Sequence, residues 1–151
     1  MTSFREATVD EPAAQRLLTE YFESRELGFI GGSYRTVFPS VETFAKPGGV
    51  FLIVEDGGED VGCGGLRTIA PGRMEVKHLW LEPHTRGRGL GRALLAELER
   101  RAVDLGASEL VLDTNATLEA AAGLYRSSGF VDVEPYNDNP NATNWYAKTL
   151  G

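Results

Sequence analysis

A glycine- and arginine-rich segment, residues 86–92, holds the residue types best suited to bind a charged ligand. Glycines at every second position leave the backbone N–H groups unshielded by side chains, and they tolerate the dihedral angles of a tight turn. An amphipathic helical pattern follows, so unpaired N–H groups and the positive end of a helix dipole meet the same point. The segment therefore predicts a site for a phosphate or another anion. It reads Arg86-Gly87-Arg88-Gly89-Leu90-Gly91-Arg92.

Length and composition predict one folded domain over residues 1–151. The chain has 42% hydrophobic and 25% charged residues, which is ordinary for a globular protein with its own core. The longest purely apolar run covers only residues 50–54, too short to span a membrane. The first residues lack the apolar core of a signal peptide, and Cys63 is the single cysteine. These features predict a cytoplasmic protein in a reducing compartment, without a membrane partner.

The charge balance argues against nucleic acid as a partner. There are 22 acidic and 15 basic residues, a net charge of −7, and no basic face is evident. An acidic protein is compatible with a cationic substrate such as an amine. His78 and His84 lie six residues apart, without further ligands at a credible spacing, so we expect no metal site.

Hydrophobic periodicity and turn residues predict the element order β-α-(α)-β-β-β-α-β-α-β-β. Hairpins in the middle of the chain and β-α alternation later indicate a mixed α/β sheet with helices on both faces. The predicted strands are 4–9, 50–55, 61–69, 74–81, 109–113, 130–134 and 143–150, and the predicted helices are 10–26, 40–45, 89–105 and 117–127.

Two common phosphate-binding loops fit the glycine segment poorly. A Walker loop needs Gly-Lys-Ser or Gly-Lys-Thr, and neither tripeptide occurs. A dinucleotide fingerprint is only partly matched, since Arg92 stands where the third glycine belongs. The residues 82–86 also separate the strand from the glycines by more than a tight turn allows. A dinucleotide such as NADH stays a weaker alternative.

The motif Arg86-x-x-Gly89-x-Gly91 resembles the R/Q-x-x-G-x-G/A signature of the GNAT superfamily of N-acetyltransferases, of the small single-domain bacterial type. Its context supports the resemblance: Leu-Trp-Leu-Glu-Pro at 79–83, Asp-Thr-Asn at 113–115 and Leu-Tyr-x-x-x-Gly-Phe at 124–130. The resemblance implies a mixed, mostly antiparallel sheet of six to seven strands with about four helices. It also implies a V-shaped splay between the fourth and fifth strands.

What the resemblance implies for the cofactor is acetyl-CoA, used as a co-substrate. Residues 86–92 would hold its pyrophosphate, with arginine forks suited to phosphate oxygens. The backbone of Leu79, Trp80 and Leu81 would pair with the pantetheine arm like an added strand. Asn115 would hydrogen-bond the same arm.

Two residues match positions with catalytic roles in that superfamily. Tyr125 would donate a proton to the departing thiolate. Glu75 would act as general base, because an amine with a pKa near 10.4 is only about one part in a thousand neutral at pH 7. If the strand is regular, Glu75 lies on the same face as Lys77 and Leu79. A water chain could replace Glu75 in this role.

Acceptor specificity in that superfamily comes from the segment between the first helices and from the polar tail of the last hairpin, here residues 27–38 and 136–145. Phe29, Tyr34 and Tyr136 would line the acceptor pocket. Asp132, Glu134 or Asp138 could attract an ammonium group. The function predicted is acetyl transfer to a primary amine of a small molecule by direct attack in a ternary complex. The alternatives are a non-catalytic module that senses acyl-CoA and an enzyme that acetylates proteins or peptides. We expect a monomer or a homodimer.

Overall fold

The computed structural model of the chain describes residues 1–28, 38–114 and 119–150. These residues form seven strands, three α-helices and two short 3-10 helices, at 41–44 and 83–85. The strands are β1 (Thr2–Ala7), β2 (Gly49–Asp56), β3 (Glu59–Ala70), β4 (Arg73–Leu81), β5 (Glu109–Thr114), β6 (Val131–Asp132) and β7 (Asn144–Thr149), and the helices are α1 (Pro12–Gly28), α2 (Leu90–Asp104) and α3 (Glu119–Ser127).

All seven strands form one sheet in the order β1-β2-β3-β4-β5-β7-β6. Every neighbouring pair is antiparallel except β4 and β5, which run parallel. The predicted mixed, mostly antiparallel α/β sheet is therefore confirmed. The helix expected at 40–45 is a single 3-10 turn, and the last hairpin's first strand has two residues instead of five.

The sheet separates two cores, as the alternation along β2 shows. Val50, Leu52 and Val54 face the core beneath α2, whereas Phe51 and Ile53 face the core beneath α1. A strand buried on both faces reads as a continuous apolar run, which is how 50–54 reads in the sequence. We call these sides the α2 face and the α1 face. No helix in the described ranges is long and apolar enough to cross a membrane.

A bulge in β4 changes which face its side chains take. Gly65 pairs with Lys77 and Cys63 pairs with Trp80, so two residues of β4 oppose Gly64 alone. One of these two is His78, whose φ of 57° is rare for a residue with a side chain. The predicted regular strand is therefore wrong beyond Lys77. Leu79 packs on the α2 face, opposite to Glu75 and Lys77.

Candidate active site

The sheet opens between its two parallel strands. Backbone pairing of β4 with β5 ends at Glu75 opposite Val111, although β4 continues to Leu81 and β5 to Thr114. Beyond that point the two strands are joined by side chains: Lys77 Nζ lies 3.0 Å from Asp113 Oδ1. Backbone groups on the facing edges of a diverging pair are left for another partner. We call this opening the β4–β5 gap.

The glycine loop follows the end of β4 and leads directly into α2. Gly87 and Gly89 have φ values of 82° and 79°, in the left-handed region that glycine adopts without strain. Gly89 is the N-cap residue of α2, and no side chain of the described residues caps the helix there. Apart from the adjoining residues of the loop, no described atom lies within 4 Å of where a Cβ would stand at Gly87 or Gly89. The loop therefore presents backbone to open space at the positive end of a helix dipole.

Gly91 serves packing within the same loop. A Cβ at Gly91 would lie 3.2 Å from Leu124 Cδ2 and 3.5 Å from Leu81 Cδ1. The third glycine thus lets α2 approach α3 and the end of β4 closely. Arg92 adds a hydrogen bond from Nη2 to Ser127 Oγ at 2.8 Å. These contacts fix the start of α2 beside α3.

The other two arginines of the loop have partners at its rim. The guanidinium of Arg86 stacks on the Trp80 ring at 5.3 Å. Trp80 in turn donates from Nε1 to Glu20 Oε1 at 3.1 Å, which ties the end of β4 to α1. Arg88 pairs with Asp56 at 2.6 Å and keeps 55% of its side chain exposed. The arginine heads lie at the surface, where an anionic ligand could compete for them.

Glu75 is buried, with 1% of its surface exposed. Its Oε1 accepts from Arg67 Nε at 2.7 Å, and its Oε2 accepts from the hydroxyl of Tyr136. Lys77 Nζ lies 3.6 Å from the same Oε2, and Asn137 Nδ2 lies 3.4 Å from it. Both carboxylate oxygens are therefore occupied, and direct contact with a substrate would need one partner to move.

The loop between β6 and β7 reaches across the gap. Asn137 donates from Nδ2 to Asp113 Oδ2 at 2.7 Å, and its Oδ1 accepts from Trp145 Nε1 at 2.9 Å. Tyr136 from the same loop bonds to Glu75 on β4. One loop thus holds side chains of both diverging strands, on the α1 face.

Two groups in this network have shifted pKa values. Burial, with the neighbouring negative charges of Glu75 and Asp113, raises the pKa of the Tyr136 phenol, so it stays protonated at physiological pH. Burial alone would raise the pKa of Asp113, but the charge of Lys77 and hydrogen bonds from Asn137 and Lys77 outweigh it and lower the pKa. Asp113 is therefore a stable carboxylate partner for Lys77.

A cleft of about 1000 Å³ lies on the α1 face above these residues. One side is aromatic, and a Cβ on Gly65 would stand 2.6 Å from the Phe44 ring, so Phe44 lies directly on β3. The opposite side is polar and includes both cations of the network. The aromatic side comprises Tyr21, Phe22, Phe38, Phe44 and His78; the polar side comprises Arg67, Lys77, Asp113, Asn137 and Asn139.

Tyr125 lies on the other face of the sheet. It is 4% exposed and packs in the core beneath α2, with its ring 5.6 Å from Tyr146 and 6.2 Å from Phe130. Its neighbour Leu124 contacts Gly91, so Tyr125 sits on α3 next to the start of α2. The two predicted catalytic residues therefore lie on opposite faces of the sheet.

Three predicted binding residues, Phe29, Tyr34 and Asn115, lie outside the described residues. The acids expected to attract an ammonium group do not line the cleft among the described residues; Asp132, for example, pairs with Arg126. Within the described ranges, no three His, Cys, Asp or Glu side chains converge as a metal site would require.

Sequence reasoning missed Arg67 and Asn137 as members of the site. Arg67 reaches Glu75 through a β3–β4 register that includes a second irregularity, between Thr68 and Ala70. Asn137 lies within the polar tail that was expected to form part of the acceptor pocket, beside Tyr136. The clustered Asn, Asp and Pro residues of this tail could have indicated a structured loop.

Comparison with known proteins places this geometry in a family. The sequence model of the acetyltransferase (GNAT) family matches residues 11–130. An IAA acetyltransferase of Azospirillum brasilense is 33% identical over 137 residues, covering 90% of this chain and 88% of that protein. An uncharacterized N-acetyltransferase of Schizosaccharomyces pombe is 39% identical over 99 residues, 64% of this chain. The match spans 61% of the yeast protein's length.

Solved structures share the fold. A GNAT-family acetyltransferase of Staphylococcus aureus superposes with a TM-score of 0.83 at 18% identity over the full length of both chains. A GNAT-family acetyltransferase of Elizabethkingia anophelis with acetyl-CoA bound gives a TM-score of 0.72 at 17% identity, over 99% of this chain and 98% of the other. The chain therefore belongs to the GNAT family of acetyltransferases.

Proposed function

We propose that the protein transfers an acetyl group from acetyl-CoA to the amine of a small molecule, by direct attack in a ternary complex. The observation that carries the proposal is the β4–β5 gap, which opens beside the glycine loop on one side and into the α1-face cleft on the other. A donor and an acceptor can meet there through the sheet. Acetyl-CoA would supply the acetyl group on a thioester.

The donor would lie along the glycine loop and the end of β4. The uncapped first turn of α2 offers N–H groups to the pyrophosphate, and Gly87 and Gly89 leave room for it. The backbone of Leu79, Trp80 and Leu81 would pair with the pantetheine arm. The GNAT-family protein of Elizabethkingia anophelis, which has acetyl-CoA bound, supports this assignment through its shared fold.

The proton balance uses both faces of the sheet. The acceptor nitrogen forms a bond to the carbonyl carbon, the carbon–sulfur bond breaks, and nitrogen loses a proton while sulfur gains one. Tyr125 would supply the proton to sulfur from the α2 face. On the α1 face, Tyr136 would accept the nitrogen's proton at Oη as it passes its own to Glu75. Of the described groups that bond to Glu75, the Tyr136 hydroxyl is the one that can both donate and accept a proton.

An amine panel tests the activity itself. Purified protein, acetyl-CoA and individual amines are mixed, and release of free thiol is followed with a thiol reagent. We expect acetyl-CoA-dependent thiol release with a subset of small amines. Peptides with free N-termini or lysines belong in the panel, since peptide-only turnover would replace the small-molecule proposal with peptide acetylation.

Calorimetry distinguishes the remaining alternatives. We expect heat of binding with acetyl-CoA and none with NADH, because the glycine loop lacks the dinucleotide spacing. Tight acetyl-CoA binding without turnover on any amine or peptide would instead make the protein a sensing module.

Several predictions from the sequence stay predictions. They are the single domain, the cytoplasmic location, the oligomeric state and the roles of Phe29, Tyr34 and Asn115.

Gly89→Ala should weaken acetyl-CoA binding. A side chain at a φ of 79° costs about 1–2 kcal/mol, and a shifted loop no longer aims the first-turn amides at the pyrophosphate. We expect the KM for acetyl-CoA to rise about tenfold. Gly106→Ala is the matched control, since Gly106 follows the other end of α2 with a φ of 95° and equally open space. Equal effects of both variants on the KM for acetyl-CoA would show that the glycine loop is not part of the donor site.

Glu75→Gln should lower kcat by about tenfold or more if Glu75 is the final proton acceptor. Tyr136→Phe should lower it similarly, because it removes the hydroxyl that joins Glu75 to the acceptor. Glu97→Gln, which breaks an ion pair of equal length with Arg101 Nε on α2, outside the cleft lining, is the control. A near-normal kcat in Glu75→Gln would assign the base role to a water chain.

A further inference from the structure

We infer that the acceptor amine carries a carboxylate, which Arg67 binds, beside an apolar or aromatic body. This inference rests on the proposed acetyl transfer and names its substrate class. The argument starts from the hydrogen-bond capacity of Arg67. An arginine has five N–H donors in a planar fork. Arg67 uses one of them, the N–H on Nε, to donate a hydrogen bond to Glu75.

The outer end of that fork is open to a ligand. Arg67 Nη1 and Nη2 have no partner in the part of the chain that the structure describes, although the side chain lines the cleft and is 40% exposed. A guanidinium whose two terminal nitrogens face solvent binds a carboxylate through two parallel hydrogen bonds. Arg67 is held from behind by Glu75, so its position is fixed before any ligand arrives.

The other charges of the cleft favour an acceptor that carries a single negative charge. Lys77 lies 3.0 Å from Asp113, so its charge is already balanced. The Glu75 carboxylate is 1% exposed behind the network, and Asp113 has only 5% of its side chain exposed. The carboxylates of Glu75 and Asp113 are thus almost fully buried, whereas the Arg67 side chain is 40% exposed in the cleft. One free guanidinium fork suits a carboxylate better than a phosphate dianion.

The aromatic side of the cleft specifies the rest of the acceptor. Tyr21, Phe22, Phe38 and Phe44 line it together with the polar side that contains Arg67. Phe44 lies on Gly65, two residues before Arg67 on the same face of β3. An apolar or aromatic side chain would therefore pack there while the carboxylate reaches Arg67. Hydrophobic amino acids combine all three features: amine, carboxylate and apolar body.

The test compares acceptors that differ only at the carboxylate: phenylalanine, phenylalaninamide and 2-phenylethylamine, with O-phosphoethanolamine as a phosphorylated amine. We expect the highest kcat/KM for phenylalanine, by about tenfold over the amide. Arg67→Gln should abolish this preference, so that phenylalanine and phenylalaninamide are turned over with similar kcat/KM. Arg101→Gln is the matched control, since its Nε also donates to a glutamate at 2.7 Å but lies on α2, outside the cleft lining.

A binding measurement separates failure of this inference from failure of the proposed function. 3-Phenylpropionate has the carboxylate and the ring but no amine, and 3-phenylpropanamide is its neutral partner. Calorimetry should show wild-type protein binding the acid about tenfold more tightly than the amide, with the difference lost in Arg67→Gln. Equal binding of acid and amide, or preference for O-phosphoethanolamine, overturns the inference while acetyl transfer stands. Binding of the acid without any thiol release supports the carboxylate site and refutes the transfer.

Discussion

Tyr125→Phe should lower kcat by about tenfold at least, and by about a hundredfold if the full contribution of a general acid is lost. A thiol with a pKa near 8.5 leaves more readily when it is protonated as the carbon–sulfur bond breaks. Phenylalanine keeps the ring in the core beneath α2 and removes only the hydroxyl. Acetyl-CoA affinity, measured by calorimetry, should change little because the glycine loop is untouched.

Tyr146→Phe is the matched control for this experiment. Tyr146 is 1% exposed, and its ring lies 5.6 Å from that of Tyr125 in the same core. Both variants delete a buried hydroxyl, so a general loss of packing or stability would affect both. A normal rate in Tyr125→Phe, or an equal loss in Tyr146→Phe, would remove Tyr125 as the proton donor.

Gly62→Ala should destabilise the fold by about 3 kcal/mol and weaken acetyl-CoA binding. Gly62 pairs with Leu81 at the end of β4, and a Cβ there would stand 2.5 Å from the Trp80 carbonyl oxygen. Backbone cannot move aside as a side chain can, so the end of β4 must shift. That is the stretch proposed to pair with the pantetheine arm.

Urea unfolding and acetyl-CoA calorimetry measure the two consequences of Gly62→Ala. Gly64→Ala is the control, because a Cβ two residues later would meet only leucine methyl groups at 3.1–3.7 Å. Those methyl groups can adjust, and we expect a change within about 1 kcal/mol. Stability loss in Gly62→Ala with unchanged acetyl-CoA affinity would argue that the end of β4 does not contact the donor.

The glycine loop and its flanking elements were predictable because their signals are local. Residues 79–92 contain the end of β4, the glycine loop and the start of α2 in one uninterrupted stretch. Helix periodicity and glycine positions report such neighbours directly. The element order along the whole chain was also predictable, since each hairpin and helix has its own turn or cap residues.

The contact between Arg67 and Glu75 depends on strand register, which the sequence does not encode locally. A regular hairpin around Pro71 and Gly72 pairs Ala70 with Arg73 and would place Arg67 opposite Val76. The irregularity between Thr68 and Ala70 moves Arg67 opposite Glu75 instead. No glycine marks this position.

The bulge in β4 was equally hidden. His78 takes a φ of 57°, which is uncommon for any residue with a side chain, so a regular strand was expected there. The cleft itself joins α1, the 38–44 segment, three strands and the β6–β7 loop. Only tertiary packing brings such separated segments together.

The ion pair between Lys77 and Asp113 has a consequence for ionic strength. Mobile ions screen exposed charges over about 8–10 Å but reach buried pairs much less. This pair spans the β4–β5 gap with only 19% and 5% of its side chains exposed, whereas Arg88 at the loop's rim is 55% exposed. High salt should therefore weaken the binding of an anionic donor at the rim of the glycine loop. The width of the β4–β5 gap should stay the same. Encounter with the donor would depend on the medium, and the geometry of transfer would not.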